Sequence, residues 1–497
     1  MPEFITVKSN AQILKSLGGR QNKEGLWKIP STQKNREWLH KFKYPFQEEV
    51  VADKKELTHR LKDTLYPYQR EAVEFLINSP ETGSLLYLSP GLGTGLVSIV
   101  AMESLGYSRV LILALKSLID SVWVSERDKW VQDKSKWSLI TTLKEPLNEV
   151  NVVSLDYFIH NVEHFSKVHW DLVIADESIL LSNRATKRYK QLKKLSRHKI
   201  WLLSGNPIRT GVQDLWSQMN LIHPTAFTSY WRFVEEYCVM QKETFGYEIL
   251  GDNPAKDIVL DYSDLIFRRM MQEVLPDLPE LLVQEIDLDM TAHQKKMYKQ
   301  AQNDFLIELE DGRELEIPTR MTFLLRADQI LQSPANLGDD QLSSKQEFIL
   351  DLLRNNLAPL PMLIFVTFLA GGHQLKREIE ALGYKVGFAH GEDKTGIQLY
   401  KDGTIDILIL SLSVGRLGHT LTTTKTMVHL GRDYSADNYL QSVHRVRRLT
   451  LTHRPYHYIL RNRGTVDDLI DKVLEGKMES ISRLASSDFM KYLGKRE

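Results

Sequence analysis

Leu85-Leu86-Tyr87-Leu88-Ser89-Pro90-Gly91-Leu92-Gly93-Thr94-Gly95-Leu96 is the stretch whose reading sets the fold class. An apolar run ends in a glycine-rich turn, and a helical pattern from Val97 to Met102 follows. Strand, glycine turn and helix in that order let backbone N–H groups wrap a phosphate at a helix N-terminus. Such loops ordinarily end Gly-Lys-Ser/Thr, with the lysine on the outer phosphates and the hydroxyl on Mg²⁺. Here Thr94 and Gly95 hold those two places. Gly91, Gly93, Thr94 and Gly95 are therefore the candidate phosphate cradle, without its usual charge or its usual metal ligand.

Working outward, short apolar strands alternate with helical stretches on both sides of this loop. The first block, residues 56–280, carries strands Leu85–Leu88, Val110–Ala114, Val150–Ser154, Leu172–Ala175 and Ile200–Ser204. Alternation of this kind implies βαβ units and a parallel sheet covered on both faces. Residues 281–342 show long helical patterns without strand signals. From Ser343 to about residue 480 the alternation resumes, with Met362–Val366, Lys385–Ala389, Ile405–Leu410, Thr426–Leu430 and His457–Leu460. A tail, 481–497, follows. Residues 1–55 form a small module with a Leu26–Pro30 strand and a helix near Trp38 to Phe42. The expectation is an α/β protein with two parallel-sheet lobes, a small α+β amino-terminal module and a helical insertion between the lobes.

The bulk composition narrows the class. At 497 residues the chain exceeds one core, and 42% hydrophobic with 26% charged residues describes a globular protein. Its formal net charge is zero, so binding to nucleic acid has to come from local patches. The single cysteine excludes an intrachain disulfide or a cysteine-based zinc site, and fits a reducing cytoplasm. No segment is apolar enough to span a membrane, and no membrane partner is expected.

Further motifs follow in a fixed order. Gln69, in Leu65-Tyr66-Pro67-Tyr68-Gln69, is either an adenine-reading amide or part of a proline-turned helix start. Val173-Ile174-Ala175-Asp176-Glu177 puts two carboxylates at the end of a buried strand. In a phosphate site Asp176 would hold Mg²⁺ and Glu177 would polarise the attacking water. Ser204-Gly205-Asn206-Pro207 is a tight polar turn after the next strand. In the second block, Arg445 and Arg448 lie three apart in Gln441 to Arg448, a spacing that puts both guanidiniums on one helix face. Two such groups suit a triphosphate bound on a facing domain. Ser411 to Leu421 is a glycine-interrupted loop suited to close approach by nucleotide or nucleic acid. A run from Arg184 to Lys199 is rich in cations, read either as a solvated face or as a track along duplex phosphate.

This order resembles the superfamily-two helicases, in the Swi/Snf-like translocase branch, from about Leu65 to Leu469. The resemblance implies two RecA-like lobes, ATP and Mg²⁺ as ligands, and DNA as partner. Under it Gln69 reads adenine and Gly91 to Gly95 form the phosphate loop. Leu115-Lys116-Ser117 looks like the first strand-gripping motif, and Asp176-Glu177 like the Asp-Glu box. Phe267-Arg268-Arg269, followed by Val274 to Pro279, is similar to the segment that braces the lobes. Leu363 to Phe368, Ser411 to Leu421 and Gln441 to Leu449 look like the second lobe's motifs. Lys116, Ser117, Phe368 and Ser411 are thus the candidate DNA contacts of the motor. Leu14 to Arg20 and Gly25 to Pro30 resemble the substrate-recognition domains of annealing and branch-migration helicases. There Trp27 is either a base-stacking ring or the core of a small fold, and Arg20 and Lys28 are candidate phosphate contacts. The whole is similar to compact phage-encoded helicases of recombination and replication forks, which implies forked, branched or Holliday-junction DNA and a host-cytoplasmic location.

Family members carry lysine and threonine where this chain has Thr94 and Gly95, asparagine where it has Thr420, and glycine where it has Arg416. Losing the lysine removes a charge-assisted contact to a group whose charge shifts during transfer. Two compensations are open: Thr94 or Ser98 as a metal ligand, and Arg445 or Arg448 as substitute charge. Two functions therefore stand side by side, an ATP-driven DNA translocase and a helicase-like DNA-binding scaffold without turnover.

Overall fold

The computed structural model describes residues 4–7, 20–21, 27–30, 35, 38–39, 46–48, 55–243, 246–303, 306–308, 314–316, 319–391, 393–414, 420–448 and 450–484. The chain divides into two compact units, one running to Pro276 and the other starting at Asp277. Each is described by itself.

The first unit begins with a four-stranded antiparallel sheet, in spatial order β2-β3-β1-β4, from β1 (Phe4–Val7), β2 (Arg20–Gln21), β3 (Trp27–Pro30) and β4 (Phe46–Glu48). The Leu26–Pro30 expectation is realised in β3. Arg20, Trp27 and Lys28 lie on β2 and β3, and their side chains lie outside the described residues.

The main sheet of this unit is parallel throughout. Its strands are β5 (Gly83–Leu88), β6 (Val110–Ala114), β7 (Trp137–Ile140), β8 (Val150–Ser154), β9 (Trp170–Ala175), β10 (Arg197–Ser204) and β13 (Ile266–Arg269), in the order β13-β5-β10-β9-β6-β8-β7. β5 and β6 are buried along their whole length, as near-continuous apolar runs require when helices cover both faces. Strands β7 and β13 were not expected. β7 is short, and β13 ends in two arginines, so neither shows the unbroken apolar run of its neighbours. A separate antiparallel hairpin, β11 (Cys238–Lys242) and β12 (Tyr247–Asp252), stands after the helix Tyr230–Tyr237.

The second unit holds a six-stranded parallel sheet in the order β14-β21-β20-β17-β19-β18. Its strands are β14 (Leu282–Asp287), β17 (Met362–Val366), β18 (Val386–Ala389), β19 (Ile407–Ser411), β20 (Thr426–His429) and β21 (Tyr456–Arg461). Two apolar layers, one around Leu363, Phe365 and Leu410 and the other around Ile364, Val366 and Ile409, cover its two faces. The expectation of a purely helical segment over 281–342 is corrected here. Leu282 to Asp287 pairs in parallel with β21, Leu282 opposite Tyr456, and a short hairpin joins β15 (Leu306–Glu308) to β16 (Glu314–Glu316). β14 is an edge strand of mixed polarity, so it lacks the apolar signature that marks central strands. The helices Ala292–Asn303 and Arg320–Gln332 do realise the rest of the expected helical pattern. Among the described residues no helix is long and apolar enough to cross a membrane.

Candidate functional site

In open parallel sheets, ligands bind beyond the carboxyl ends of the strands. Three chemistry-bearing segments leave adjacent strands at that edge of the first unit: the glycine loop after β5, the turn after β10, and the acidic pair after β9. Sheet order therefore groups what the sequence spreads over more than a hundred residues.

The glycine loop is shaped as a cradle. Gly91 and Gly93 adopt positive φ, 94° and 86°, a region that costs other L-residues about 1–2 kcal/mol. Gly93 caps the helix Thr94–Leu105, whose first N–H groups are the orphan donors that favour anions. Space also demands glycine there, because a Cβ on Gly93 would stand 2.5 Å from Gln69 Nε2. Gln69 is buried and its amide is engaged: Nε2 donates to the Leu92 carbonyl at 3.0 Å, and Oε1 accepts the Tyr66 N–H at 3.1 Å. The residue expected to read adenine thus ties the preceding turn to the phosphate loop. Thr94 is half-buried at the helix start. Ser98 is fully buried and its hydroxyl donates to the Thr94 carbonyl within the helix.

Asp176 follows the last residue of β9 and is half-buried. Burial pushes its carboxyl above the ordinary carboxylate range, and two N–H donors pull the other way: Trp123 Nε1 at 2.9 Å and Glu177 N at 2.9 Å. Trp123 is itself buried and comes from Ile119–Val124, which is wound as a π-helix, a form frequent at functional sites. Glu177 holds φ 52°, a left-handed backbone that costs a non-glycine residue about 1–3 kcal/mol. A half-buried carboxylate at the carboxyl edge of a parallel sheet suits a cation beside it. Asp176 is therefore the residue that would hold Mg²⁺, while Gly95 offers no hydroxyl to share the task.

The turn after β10 touches both neighbours. A Cβ on Gly205 would lie 2.7 Å from Pro90 Cγ in the glycine loop. On the other side, Ser178 Oγ donates to Gln218 Oε1 at 2.7 Å, and Gln218 Nε2 donates to the Pro207 carbonyl at 2.6 Å. Loop, turn and acidic pair are one contiguous assembly. Sequence reasoning missed Trp123, Ser178 and Gln218, because only the folded sheet brings them to the acidic pair.

Beside the loop lies a cavity of about 480 Å³ lined by Tyr66, Tyr68, Glu71, Arg268, Arg269 and Leu275 among others. Tyr66 and Tyr68 stack at 5.9 Å with planes 9° apart, and the Tyr68 hydroxyl donates to the Leu92 carbonyl. Arg269 pairs with Glu71 at 2.7 Å, and Arg268 with Glu273 at 3.2 Å. Aromatic rings and a direct bond to the phosphate loop make this a cavity with room for a small ligand that carries an aromatic ring.

Of the remaining candidates in the first unit, Lys116 is exposed at the start of the turn Lys116–Leu118, and Ser117 is half-buried with its carbonyl accepting the Ser121 hydroxyl. In the second unit Phe368 caps the helix Leu369–Ala381 and is half-buried. Ser411 ends β19 fully buried, sharing a 2.7 Å hydrogen bond with the hydroxyl of Ser413, which is the exposed one of the pair. Ser413 is therefore the better-placed contact. Residues 415–419 of that loop, including Arg416, lie outside the described residues.

Arg445 is buried in the last turn of the helix Ala436–Val446. Arg448 does not share that helix face as expected, because the backbone turns extended at Arg447. Its Nε instead donates to the His444 carbonyl at 3.1 Å, so its guanidinium caps the helix end. Burial brings Arg448 down to about 10, still cationic at neutral pH. His444 beside them is driven down to about 3 by burial and then by Arg447, Arg448 and Arg445, and stays neutral.

Comparison with known proteins gives the same order of parts. The SNF2-related domain model matches residues 68–336, and the helicase conserved C-terminal domain model matches 344–450. A SWI/SNF-related matrix-associated actin-dependent regulator of chromatin subfamily A-like protein 1 from Xenopus laevis is 22% identical over 456 residues, covering 88% of this chain and 46% of that protein. A putative ATP-dependent helicase/translocase, YwqA, from Bacillus subtilis is 24% identical over 461 residues, covering 86% of this chain and 49% of its own length. The chain thus spans about half the length of these relatives. Among solved structures, a Sulfolobus solfataricus SWI2/SNF2 ATPase core in complex with dsDNA is 21% identical, with 89% of this chain and 99% of that one covered at a TM-score of 0.41.

Proposed function

The chain belongs to the SNF2-related family, and from that membership we propose that it is an ATP-dependent DNA translocase acting on branched or forked duplexes. The observation that carries the proposal is the assembly at one sheet edge: a glycine cradle, a coupling turn against Pro90, and the half-buried Asp176 beside Glu177.

In this reading the cavity by Tyr66 and Tyr68 takes adenine, and the amides of the helix Thr94–Leu105 take phosphate. Mg²⁺, held by Asp176, supplies neutralising charge to phosphate oxygens. Glu177 orients the attacking water, and Arg445 and Arg448 are the second unit's candidate groups for the outer phosphate. The turn Ser204–Pro207 touches the loop directly and the acidic segment through Gln218, so a change at the phosphates reaches the segment beyond it. Lys116, Ser117, Phe368 and the Ser411–Ser413 hydroxyls contact DNA, and the amino-terminal sheet with Arg20, Trp27 and Lys28 selects the junction. Partnership with recombination or replication proteins and a cytoplasmic location belong to this proposal, the latter supported by the single, buried Cys238.

A second reading, a DNA-holding scaffold with little or no turnover, is favoured by Thr94 and by Gly95. Phosphate release measured with single-stranded, duplex and branched DNA at one salt concentration separates the two. Stimulation greatest with branched DNA supports the first. Nucleotide bound tightly without release supports the scaffold, and no nucleotide bound by the DNA-saturated protein overturns the motor.

A further inference from the structure

A surface of the first unit pairs exposed aromatic rings with an acid-free run of cations. From Asn183 to Lys199 the chain has eight Lys or Arg and no carboxylate, in a protein whose formal charge is zero. Some of these are spoken for. Arg188 pairs with Asp156 at 2.9 Å, Arg197 donates to backbone carbonyls, and Lys199 is buried. Arg184, Lys187, Lys190, Lys193 and Lys194 are exposed. Lys187, Lys190 and Lys194 recur at the i, i+3, i+7 spacing of one face of the helix Lys187–Lys194.

The cations run directly into the rings. Arg184 lies over Tyr230 at 4.1 Å, Tyr230 meets Trp231 edge-on at 5.3 Å, and Trp231 meets Tyr247 of the β11–β12 hairpin at 6.5 Å. Trp231 is 48% and Tyr247 56% exposed, an unusual outlay of aromatic surface. Acidic groups stand nearby, but Glu236 is held by Lys256 at 3.2 Å, and Glu248 follows Tyr247 on the opposite side of the strand pleat. The hairpin is anchored where it matters: Asp252 accepts the Val212 N–H at 2.9 Å, in the segment that follows the coupling turn.

We propose that this surface is a single-strand nucleic-acid site, with Trp231 and Tyr247 stacking unpaired bases and Arg184, Lys187 and Lys190 holding phosphates. A duplex accounts for the cations but leaves both rings uncovered, since paired bases do not offer their faces. A protein partner accounts for the rings but leaves the acid-free run unexplained. Only an unpaired strand uses both, as electrostatic track and stacking platform together. The site deepens the DNA-translocase reading by naming the strand it would grip, and it needs no nucleotide turnover.

The test is equilibrium binding of a fluorescein-labelled oligothymidine and of a blunt duplex of the same length, without nucleotide, at one salt concentration. Trp231→Ala and Tyr247→Ala each weaken oligothymidine binding about tenfold, the loss of one stacked base, and leave the duplex unchanged. Trp231→Phe retains most of the affinity because it keeps a ring. Lys187→Glu with Lys190→Glu weakens both ligands and flattens the salt dependence. Unchanged oligothymidine affinity in both alanine variants overturns the site, as does an equal loss for the two ligands. A wild-type chain that holds duplex but not oligothymidine also overturns it and leaves the translocase reading standing. One that holds neither overturns both.

Discussion

Replacing Thr94 with lysine measures what the altered loop has lost. Thr94 opens the helix Thr94–Leu105 and is half-buried at the cradle. A lysine there restores a charge-assisted hydrogen bond to phosphate, about 1.5–3 kcal/mol, or roughly ten- to a hundredfold in nucleotide affinity. Turnover gains more, on the order of a hundred- to a thousandfold, because the contact meets charge that develops during transfer. Adding Gly95→Thr brings back the hydroxyl against a steric limit. A Cβ on Gly95 would stand 3.2 Å from Glu126 Cγ and 3.6 Å from Val122 Cγ1. Glu126 is not free to swing, since Trp130 Nε1 donates to its carboxylate at 2.8 Å. Overpacking of about 1–3 kcal/mol therefore outweighs the roughly 0.5–1 kcal/mol that a helix gains on losing a glycine. Thr94→Lys is expected to bind ATP tighter and release phosphate faster than wild type. The double variant is expected to melt earlier unless Glu126→Ala makes room. Equilibrium ATP binding and DNA-stimulated phosphate release read the outcome. If a Thr94→Lys protein that melts like wild type shows neither gain, phosphates do not rest on this loop and the argument from the cradle fails.

Other expectations are narrower. Ser178→Ala leaves the buried Gln218 oxygen without its 2.7 Å donor and should cost about 1–3 kcal/mol in urea denaturation. An unchanged midpoint would mean that the link carries no load. Gly205→Ala drives a Cβ to within 2.7 Å of Pro90 Cγ and should weaken nucleotide binding as well as stability, by about 1–3 kcal/mol of overpacking. A destabilised variant with unaltered affinity would uncouple the turn from the loop. Lys199 gives a pH signature. Burial lowers it from 10.5 to about 8, with its ammonium donating to the Ser79 carbonyl at 2.9 Å. Between those pH values the unfolded chain holds the extra proton, so wild-type stability rises with pH. Relative to Lys199→Met the rise should approach about 3 kcal/mol from pH 8 to 10.5, and a flat difference would show that the amine is not buried in solution.

Some of this was legible from the chain alone, for a physical reason. Strands β6, β8 and β17 stand where their apolar runs put them, because a strand covered on both faces has to be continuously apolar. The glycine turn after β5 was equally legible, since φ values near 90° leave little choice of residue. Edge strand β14 was misread as part of a helical segment, and β7 and β13 were passed over, because half-covered strands tolerate the polarity that hides them.

The site divides along the same line. Sequence supplied the chemistry of Asp176, Glu177 and the altered Thr94-Gly95, since residue type and order suffice for that. It was silent on Trp123, which reaches Asp176 from 53 positions away, and on the Ser178–Gln218–Pro207 relay. It also put Arg448 on a helix that ends two residues earlier, and named Ser411 as a DNA contact without showing that its side chain is buried. A local pattern records what neighbours along the chain require of one another. Which distant donor meets a half-buried carboxyl, and which hydroxyl faces water, is decided only when the sheet orders its strands and the helices close over them.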